Sequence, residues 1–575
     1  MRRNPVRIAL IKPSRYDDEG YVVQWHRSLL PSNSLAVLYA VLSDCAERRV
    51  LGPEVEIDVR TYDETNSVLP VGRIARWVAA GDAGSFVGLV GVQTNQFPRA
   101  LDIARPLRAA GVPVVLGGFH LSGCLAMLPE LPAEIAEARD LGVVLYAGEC
   151  EGRLETLLQD LRAGNPRPLY DHLKDLPGLE GQPAPILPRE RVRRTIGWYA
   201  SFDAGRGCPF QCSFCTIINV QGRKSRYRSA DDVERIVRAN LAQGIRTFFV
   251  TDDNFARNRN WEAIFDRLIA LRREEGIRVF LTLQVDTLCH RIPGFIEKAR
   301  EAGTRTVYIG LENINPENLA DAKKKQNRIW EYRRMVRAWK DAGVATYAGY
   351  ILGFPGDTPE RIERDIRIIM EELPIDFLQF YPLTPLPGSE DHRRLLAQGV
   401  AMDPDMNRYD LEHVVVDHPK MSREEWTTIY WKAWDIYYSR EQMERIMRRR
   451  VATGKKTARV LTLMAFKGFP SIERVHPIQG GWIRRKVRRQ RRRGLPLESP
   501  LVFYPRRALE VLRSAFLWGR LYLDLRYLAW RIDRDPERRR YSDRSLEAGA
   551  EEEQELMETY GPEVAIRRPA QRPAA

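Results

Sequence analysis

The order of apolar and polar positions divides this chain into three parts. Over residues 6–162 short apolar runs alternate with segments of helical spacing. Val6–Ile11, Glu54–Thr61, Phe86–Val92, Val112–Leu116 and Val143–Tyr146 read as strands, being too short for helices and rich in β-branched residues. Ser34–Cys45 and the segments around 98–110 and 151–162 carry helical spacing. Such alternation predicts an α/β fold with a doubly wound parallel sheet, whose ligands sit beyond the carboxyl ends of the strands. Three turns fall at those ends: Gln93-Thr94-Asn95, Gly117-Gly118-Phe119-His120 and Gly148-Glu149-Cys150-Glu151.

A Pro- and Gly-rich stretch at 166–196 has little periodicity and reads as a linker. A second series begins at Trp198. Its strands are expected near 198–203, 246–252, 278–284, 305–311, 344–351 and 376–381, with helices such as Ala230–Gln243 and Trp261–Glu275 between them. Six such units predict a partial (β/α)6 barrel of TIM type, with chemistry at the strand ends. Beyond 390 strands fade, Trp, Tyr, Arg and Met rise, and a mainly helical region is expected. Its helix from Arg423 carries Trp426, Tyr430, Trp431, Trp434, Tyr437 and Tyr438; it should start at Ser422 and close the barrel mouth. The expected boundaries are 1–165 for the first sheet domain, 166–196 for the linker, 197–390 for the barrel and 391–545 for the helical region. The acidic, then Pro/Ala-rich tail at 546–575 is expected to be disordered.

A chain of 575 residues, 44% hydrophobic, has room for two or three real cores. No uncharged apolar stretch reaches the ~18 residues of a spanning helix. The first apolar run is too short for a signal peptide, so a cytoplasmic location is expected. The net charge of +14 allows nucleic acid, an anionic membrane or an acidic ligand as partner. Its placement narrows the choice. Arg484–Arg493 holds eight basic residues in ten, and Ala508–Arg531 follows as a largely apolar helix with Glu510, Arg513, Arg520, Asp524 and Arg531 on one polar face. A basic cluster beside an amphipathic helix reads as a peripheral contact with the inner face of a membrane. The competing reading packs that helix on the barrel. Nothing resembles an RNA-binding module, so nucleic acid is not an expected partner.

Seven cysteines, an odd number with three clustered, do not form a secreted disulfide framework. The cluster is Gly205-Arg206-Gly207-Cys208-Pro209-Phe210-Gln211-Cys212-Ser213-Phe214-Cys215. Three thiolates at this spacing can hold three irons of a [4Fe-4S] cluster and leave the fourth open. An open iron can chelate S-adenosyl-L-methionine and pass an electron to its sulfonium. The alternative is structural zinc, which wants four ligands; Cys289 and His290 are the distant candidates for the fourth.

The triplet and the motifs after it resemble those of radical S-adenosylmethionine enzymes over about 198–390. Thr251-Asp252-Asp253-Asn254-Phe255 ends the second barrel strand, where the resemblance implies contact with the cosubstrate amino group; the plain alternative is an N-cap. Gly310-Leu311-Glu312 ends the fourth strand, where Glu312 would hold the ribose hydroxyls. Lys324 would pair with the methionine carboxylate, unless it is a solvated helix charge between Lys323 and Lys325. Gly349 and Gly353, in Gly349-Tyr350-Ile351-Leu352-Gly353-Phe354-Pro355-Gly356, would let the backbone approach adenine.

A sheet domain directly before such a barrel resembles the cobalamin-binding subclass. Thr94, Asn95, Gly117, Gly118, His120, Gly148 and Glu149 are then the expected cobalamin contacts, with His120 a turn or tail contact and not a cobalt ligand. The D-x-H-x-x-G signature is absent; Asp171-His172 does not fit it. A plain packing domain is the simpler alternative. Methylthiotransferases, with a second cluster, are a rival family, but Cys45 lies in a helical apolar pattern and reads as core. The resemblance implies a cobalamin-dependent methyltransferase acting on an unactivated carbon of a small molecule or a membrane isoprenoid, with general similarity to the hopanoid C-3 methylases. It also implies a flavodoxin- or ferredoxin-type electron donor. An oxidative cyclase with the same cofactors is the enzymatic alternative; a non-catalytic zinc or nucleic-acid-binding protein is the alternative of another class.

Overall fold

A computed structural model describes residues 5–455 and 460–547. All but the first two residues of the expected disordered tail lie outside them. The N-terminal part contains β1 (Val6–Lys12), β2 (Gln24–Ser28), β3 (Ile57–Asp63), β4 (Phe86–Leu89), β5 (Val114–Gly117), β6 (Val144–Ala147) and β7 (Leu169–Asp171). All but β2 form one parallel sheet in the order β3-β1-β4-β5-β6-β7. Period-two alternation sends Ile8 and Leu10 to one face, with helices Asn33–Glu47 and Leu154–Arg162. Ala9 and Ile11 go to the other, with helices Val71–Ala79 and Phe97–Ala109. The chain reverses direction across the sheet between β1 and β4, and such a switch point opens a crevice at the strand ends. β7 lies inside the stretch read as a linker. Its three residues are too few to show a period, yet they complete the sheet edge.

The second part holds β8 (Tyr199–Phe202), β9 (Gly205–Arg206), β10 (Arg226–Tyr227), β11 (Thr247–Val250), β12 (Phe280–Val285), β13 (Thr304–Glu312), β14 (Ala345–Leu352) and β15 (Phe377–Pro382). β8 and β11–β15 pair in parallel in sequence order, with helices such as Ala230–Ala242, Trp261–Glu274 and Pro359–Glu372 between them. Among the described residues β8 and β15 do not meet, so the barrel is partial.

The aromatic helix starts where expected: Ser422 Oγ accepts from Glu425 N (3.1 Å) while Glu425 Oε2 accepts from Ser422 N (2.8 Å), a capping box. It runs along β15 and the Pro359–Glu372 helix, and its Trp426 lies against Gly353 at the end of β14. Beyond its end, Tyr438 OH accepts from Leu378 N (3.1 Å) and donates to Leu378 O (2.8 Å), covering the open edge of β15. Strands do not vanish beyond 390: β16 (Gly481–Arg485) pairs antiparallel with β2. One continuous apolar core spans one face of the first sheet, the barrel and the C-terminal helices.

A second tie between the ends of the chain is ionic. Arg15 meets Asp410 (3.0 Å) and Glu412 (2.6 Å), all three buried. His413 bridges Asp410 and Asp18, 3.0 Å from each. Burial pulls His413 down, but the two carboxylates outweigh it and hold it up at about 10. A raised pKa stabilises the fold fully below the unfolded value of ~6.5, and that contribution is lost as pH rises towards the folded value. The thermal midpoint should therefore fall between neutrality and pH about 10, and His413→Gln should flatten that slope. An unchanged slope in the variant would refute the role of His413.

Candidate active site

The loop with the three cysteines leaves β9 and returns through β10; these two short strands pair antiparallel and close its base. Gly207 has φ +87°, and a Cβ there would lie 2.8 Å from Lys224 O, so the turn admits only glycine. Asp253 Oδ2 accepts from Gly207 N (3.0 Å) and Asp252 Oδ1 from Ala204 N (2.6 Å). Asn258 Nδ2 donates to Asp252 Oδ2 (3.2 Å). Both carboxyls are shielded, and burial pushes Asp252 to about 7 and Asp253 to about 6. These two aspartates thus pin the cysteine loop to the end of β11 and are not N-caps. Thr251 Oγ1 and Asn254 Oδ1, on the same turn, are buried without a hydrogen-bond partner. Groups of that kind are what a polar ligand would satisfy.

Cys212 is buried; Cys208 and Cys215 are half-buried. Burial pushes the Cys208 thiol up to about 11 and the Cys215 thiol to about 12, so the thiolates need a cation. Among the described residues, only Asp410, Glu412 and His413 bring three ligand atoms within 4.8 Å of one another. The three thiols are not such a trio, whereas a single tetrahedral zinc would gather them that closely. An iron-sulfur cubane holds its thiolates wider. The distant candidates for a fourth zinc ligand are also engaged: Trp339 Nε1 donates to Cys289 Sγ (3.4 Å), and His290 Nε2 faces Glu331 (3.3 Å). The donor set fits a four-iron cluster held by three cysteines. Gln326 Nε2 donates to Cys212 Sγ at 3.5 Å from a buried position. Nothing in the local pattern of Lys323-Lys324-Lys325-Gln326 marks it.

At the end of β13 the register slips between Ile309 and Glu312, and Glu312 takes a left-handed φ of +62°. Strain of this kind concentrates at functional sites. Lys324 is buried and ion-paired to Glu312; burial lowers its pKa, but the Glu312 charge outweighs this and raises it. It is therefore not the solvated charge of the alternative reading, although its neighbour Lys323 is, paired with Glu390 at the surface. Gly310 makes room for the pair: a Cβ there would lie 2.7 Å from Glu312 Oε1.

The two glycines of the β14 motif open space that the protein itself fills. A Cβ on Gly349 would lie 2.3 Å from Tyr308 OH, and one on Gly353 1.8 Å from the Trp426 indole. Tyr308 OH donates to Tyr381 OH (3.0 Å) inside the barrel.

At the first sheet the site residues are largely engaged. His120 is buried, with Nδ1 3.2 Å from Thr94 Oγ1 and Nε2 3.2 Å from Glu134 Oε1, so it is a turn contact. Thr94 and Asn95 are buried at the switch point. A Cβ on Gly118 would lie 2.2 Å from Val92 N, one on Gly117 2.8 Å from Tyr146 O and one on Gly148 2.8 Å from the His172 carbonyl carbon. These glycines let neighbouring strand ends pack closely. His172 Nε2, just past β7, is buried without a partner, leaving one imidazole nitrogen unsatisfied at this end. Glu149 departs most from expectation. It pairs with Arg206 (2.7 Å) and with Arg226, while Arg206 also meets Glu151 (2.5 Å) and Asp203 (3.2 Å). Burial pushes the Glu151 and Asp203 carboxyls up, and Arg206 outweighs it and holds both below the usual range. Arg206 lies two residues before Cys208, so this buried network joins the sheet turn to the cysteine loop. The remaining cysteines stand apart on separate elements: Cys45 and Cys150 in one core, Cys124 in the other.

The Radical SAM superfamily matches residues 204–369. The chain is 27% identical over 408 residues to bacteriochlorophyllide d C-8(2)-methyltransferase of Chlorobaculum tepidum, covering 66% of this chain and 83% of that protein. It is 26% identical over 366 residues to hopanoid C-2 methylase of Rhodopseudomonas palustris, covering 62% and 64%. In fold it is similar to the radical S-adenosylmethionine methyltransferase TsrM from Kitasatospora setae, solved with cobalamin and a [4Fe-4S] cluster (TM-score 0.57, 18% identity, 75% of this chain and 91% of that one). It is also similar to the cobalamin-dependent radical enzyme OxsB (TM-score 0.51, 12% identity, 97% and 84%).

Two outcomes are expected. Arg206→Met should destabilise the fold by about 3–5 kcal/mol, because it leaves the buried Glu151 without a cation and takes one from Glu149 and Asp203, which keep Arg226 and Arg228; a denaturation midpoint equal to that of the parent would refute the network. Gln326→Leu should make the reduction potential of the reconstituted cluster more negative, since a hydrogen bond to a ligating sulfur stabilises the reduced state. Potentiometry followed by electron paramagnetic resonance checks this, and an unmoved potential would deny Gln326 that role.

Proposed function

We propose that this chain, which carries a radical SAM domain over residues 204–369, is a cobalamin-dependent radical S-adenosylmethionine methyltransferase acting on an unactivated carbon. The observation that carries the proposal is the meeting, at one end of the barrel, of the three-cysteine loop, the strand ends of β11 and β13, and the Gly148–Glu151 turn of the first sheet. The names of the similar proteins support methyl transfer over cyclase chemistry.

When bound, the cluster and cobalamin would supply the reductive cleavage of S-adenosylmethionine and the transfer of a methyl group. The chain's residues hold and tune. Cys208, Cys212 and Cys215 ligate, and Gln326 donates to the second of them. Thr251 Oγ1 offers an unsatisfied oxygen to the cosubstrate, and the buried Glu312–Lys324 pair offers a carboxylate for ribose hydroxyls and an ammonium for a carboxylate. Asp252 and Asp253 keep the loop in place through backbone amides, beside the cosubstrate position at the end of β11. Trp426, Tyr308 and Tyr381 fill the barrel around β14 and keep water from the strand ends.

For substrate we propose a membrane isoprenoid, supported by the similarity to a hopanoid methylase. Tetrapyrrole pigments are the second class, from the similarity to bacteriochlorophyllide methyltransferases. A flavodoxin- or ferredoxin-type donor and a cytoplasmic location belong to the same proposal.

Incubation of the reconstituted protein with methyl-labelled S-adenosylmethionine, a low-potential reductant and lipid extract should place label in an isoprenoid product. An oxidised, unlabelled product would refute methyl transfer. Cys208→Ala, Cys212→Ala and Cys215→Ala should each abolish S-adenosylmethionine cleavage, and cleavage retained in any of them would contradict its role as a ligand.

A further inference from the structure

The Pro500–Arg534 helix is apolar on two opposite sides. One side is buried, with Phe503 against Tyr21 and with Leu525, Leu528 and Ile532 in the core that also holds the helices Arg440–Ala452 and Val460–Gly468. The other faces solvent. Leu501, Leu509, Leu512, Phe516 and Leu523 recur there at helical spacing and are 66–86% exposed. Trp530 continues the stripe at 49% exposure, near Tyr527 with ring centroids 5.8 Å apart. At 35 residues the helix runs ~52 Å, so the stripe is far longer than the scattered apolar exposure of an ordinary surface.

The charges at its border are mostly basic: three arginines stand against one exposed carboxylate, Asp524. Arg513, Arg520 and Arg526 are exposed and have no ion pair among the described residues. The basic run before the helix differs from its appearance in sequence. Arg484 is spent on Asp17 (2.9 Å), Lys486 on Glu19 (2.9 Å) and Arg492 on Asp405 (2.6 Å). Arg489 and Arg493 stay exposed without an ion pair among the described residues, as do the three arginines beside the apolar stripe. Among the described residues no helix is long and apolar enough to cross a membrane.

We propose that this solvent-facing side of the Pro500–Arg534 helix docks in the interface of an anionic lipid bilayer. The helix lies in the membrane plane, with its leucines and Phe516 among the acyl chains and the three free guanidinium groups at the headgroups. Its opposite side stays packed on the protein, so the body of the enzyme rides on the membrane. The free guanidinium groups favour an anionic lipid surface over a second copy of this chain, whose same face would set arginine against arginine. The docking stands on this surface alone and does not depend on the methyl-transfer reading.

The test uses the full, anaerobically prepared protein and vesicle co-sedimentation, with phosphatidylcholine alone or phosphatidylcholine containing phosphatidylglycerol. The chain should pellet with the anionic vesicles. Leu509→Glu/Leu512→Glu/Phe516→Glu, all at exposed positions, should weaken that binding by at least about tenfold while circular dichroism stays unchanged. Arg513→Gln/Arg520→Gln/Arg526→Gln should erase the preference for anionic over neutral vesicles. Three results would overturn the proposal: no pelleting of the parent protein, equal binding by the glutamate variant, or a dimer in sedimentation velocity that the glutamate variant dissolves. Reductive cleavage of S-adenosylmethionine in detergent-free solution, measured alongside, reports on the barrel chemistry separately and should be the same in all three proteins.

Discussion

The site depends on one buried guanidinium. Arg206 is placed by the short β9–β10 pair and is surrounded by Glu149, Glu151 and Asp203. A buried charge of this kind is costly unless every partner is present. All three partners are: two from the turn after β6 and one from the end of β8. The result is a fixed distance between the carboxyl end of one parallel sheet and the mouth of the other, with the cysteine loop starting two residues away. An enzyme that must pass a group between ligands on two domains needs that fixed geometry more than it needs the stability. The Arg15–Asp410–Glu412–His413 cluster repeats the device at a second junction, where the N-terminal segment meets the C-terminal region.

What the sequence made legible was local. Alternating Ile8, Ala9, Leu10 and Ile11 announce a strand buried on both faces, and the six barrel strands announce themselves in the same way. The cysteine spacing and the strand-end residues Glu312 and Lys324 could be read because each motif fits within a dozen residues. What stayed hidden was pairing over distance. β2 and β16 are separated by more than four hundred residues and are each only five long, so neither carries a period. Nothing around Glu149 in sequence points to Arg206, in another domain, as its partner. Nor does the sequence around Asp252 and Asp253 show that they accept from the backbone amides of Ala204 and Gly207. Gln326 carries no signal at all, because a single glutamine beside three lysines has no reason to point at a sulfur.

The glycines teach the same lesson in reverse. Their presence at strand ends was readable, but not what approaches them. Gly353 accommodates Trp426 and Gly349 accommodates a tyrosine hydroxyl, so both serve the barrel's own packing. The C-terminal helix likewise reads as having one polar face, and that face reduces to a border between two apolar sides. A wheel drawn for an isolated helix cannot show which apolar side the protein keeps for itself.

The most direct test of the central claim examines the fourth iron. Protein reconstituted anaerobically with iron and sulfide, then reduced, would be studied by electron-nuclear double resonance with S-adenosylmethionine carrying nitrogen-15 in its amino group. A nitrogen coupling to the cluster spin, seen in the parent chain, is the predicted result. A cluster that shows no such coupling, or a chain that takes up zinc in place of iron and sulfide, would contradict it.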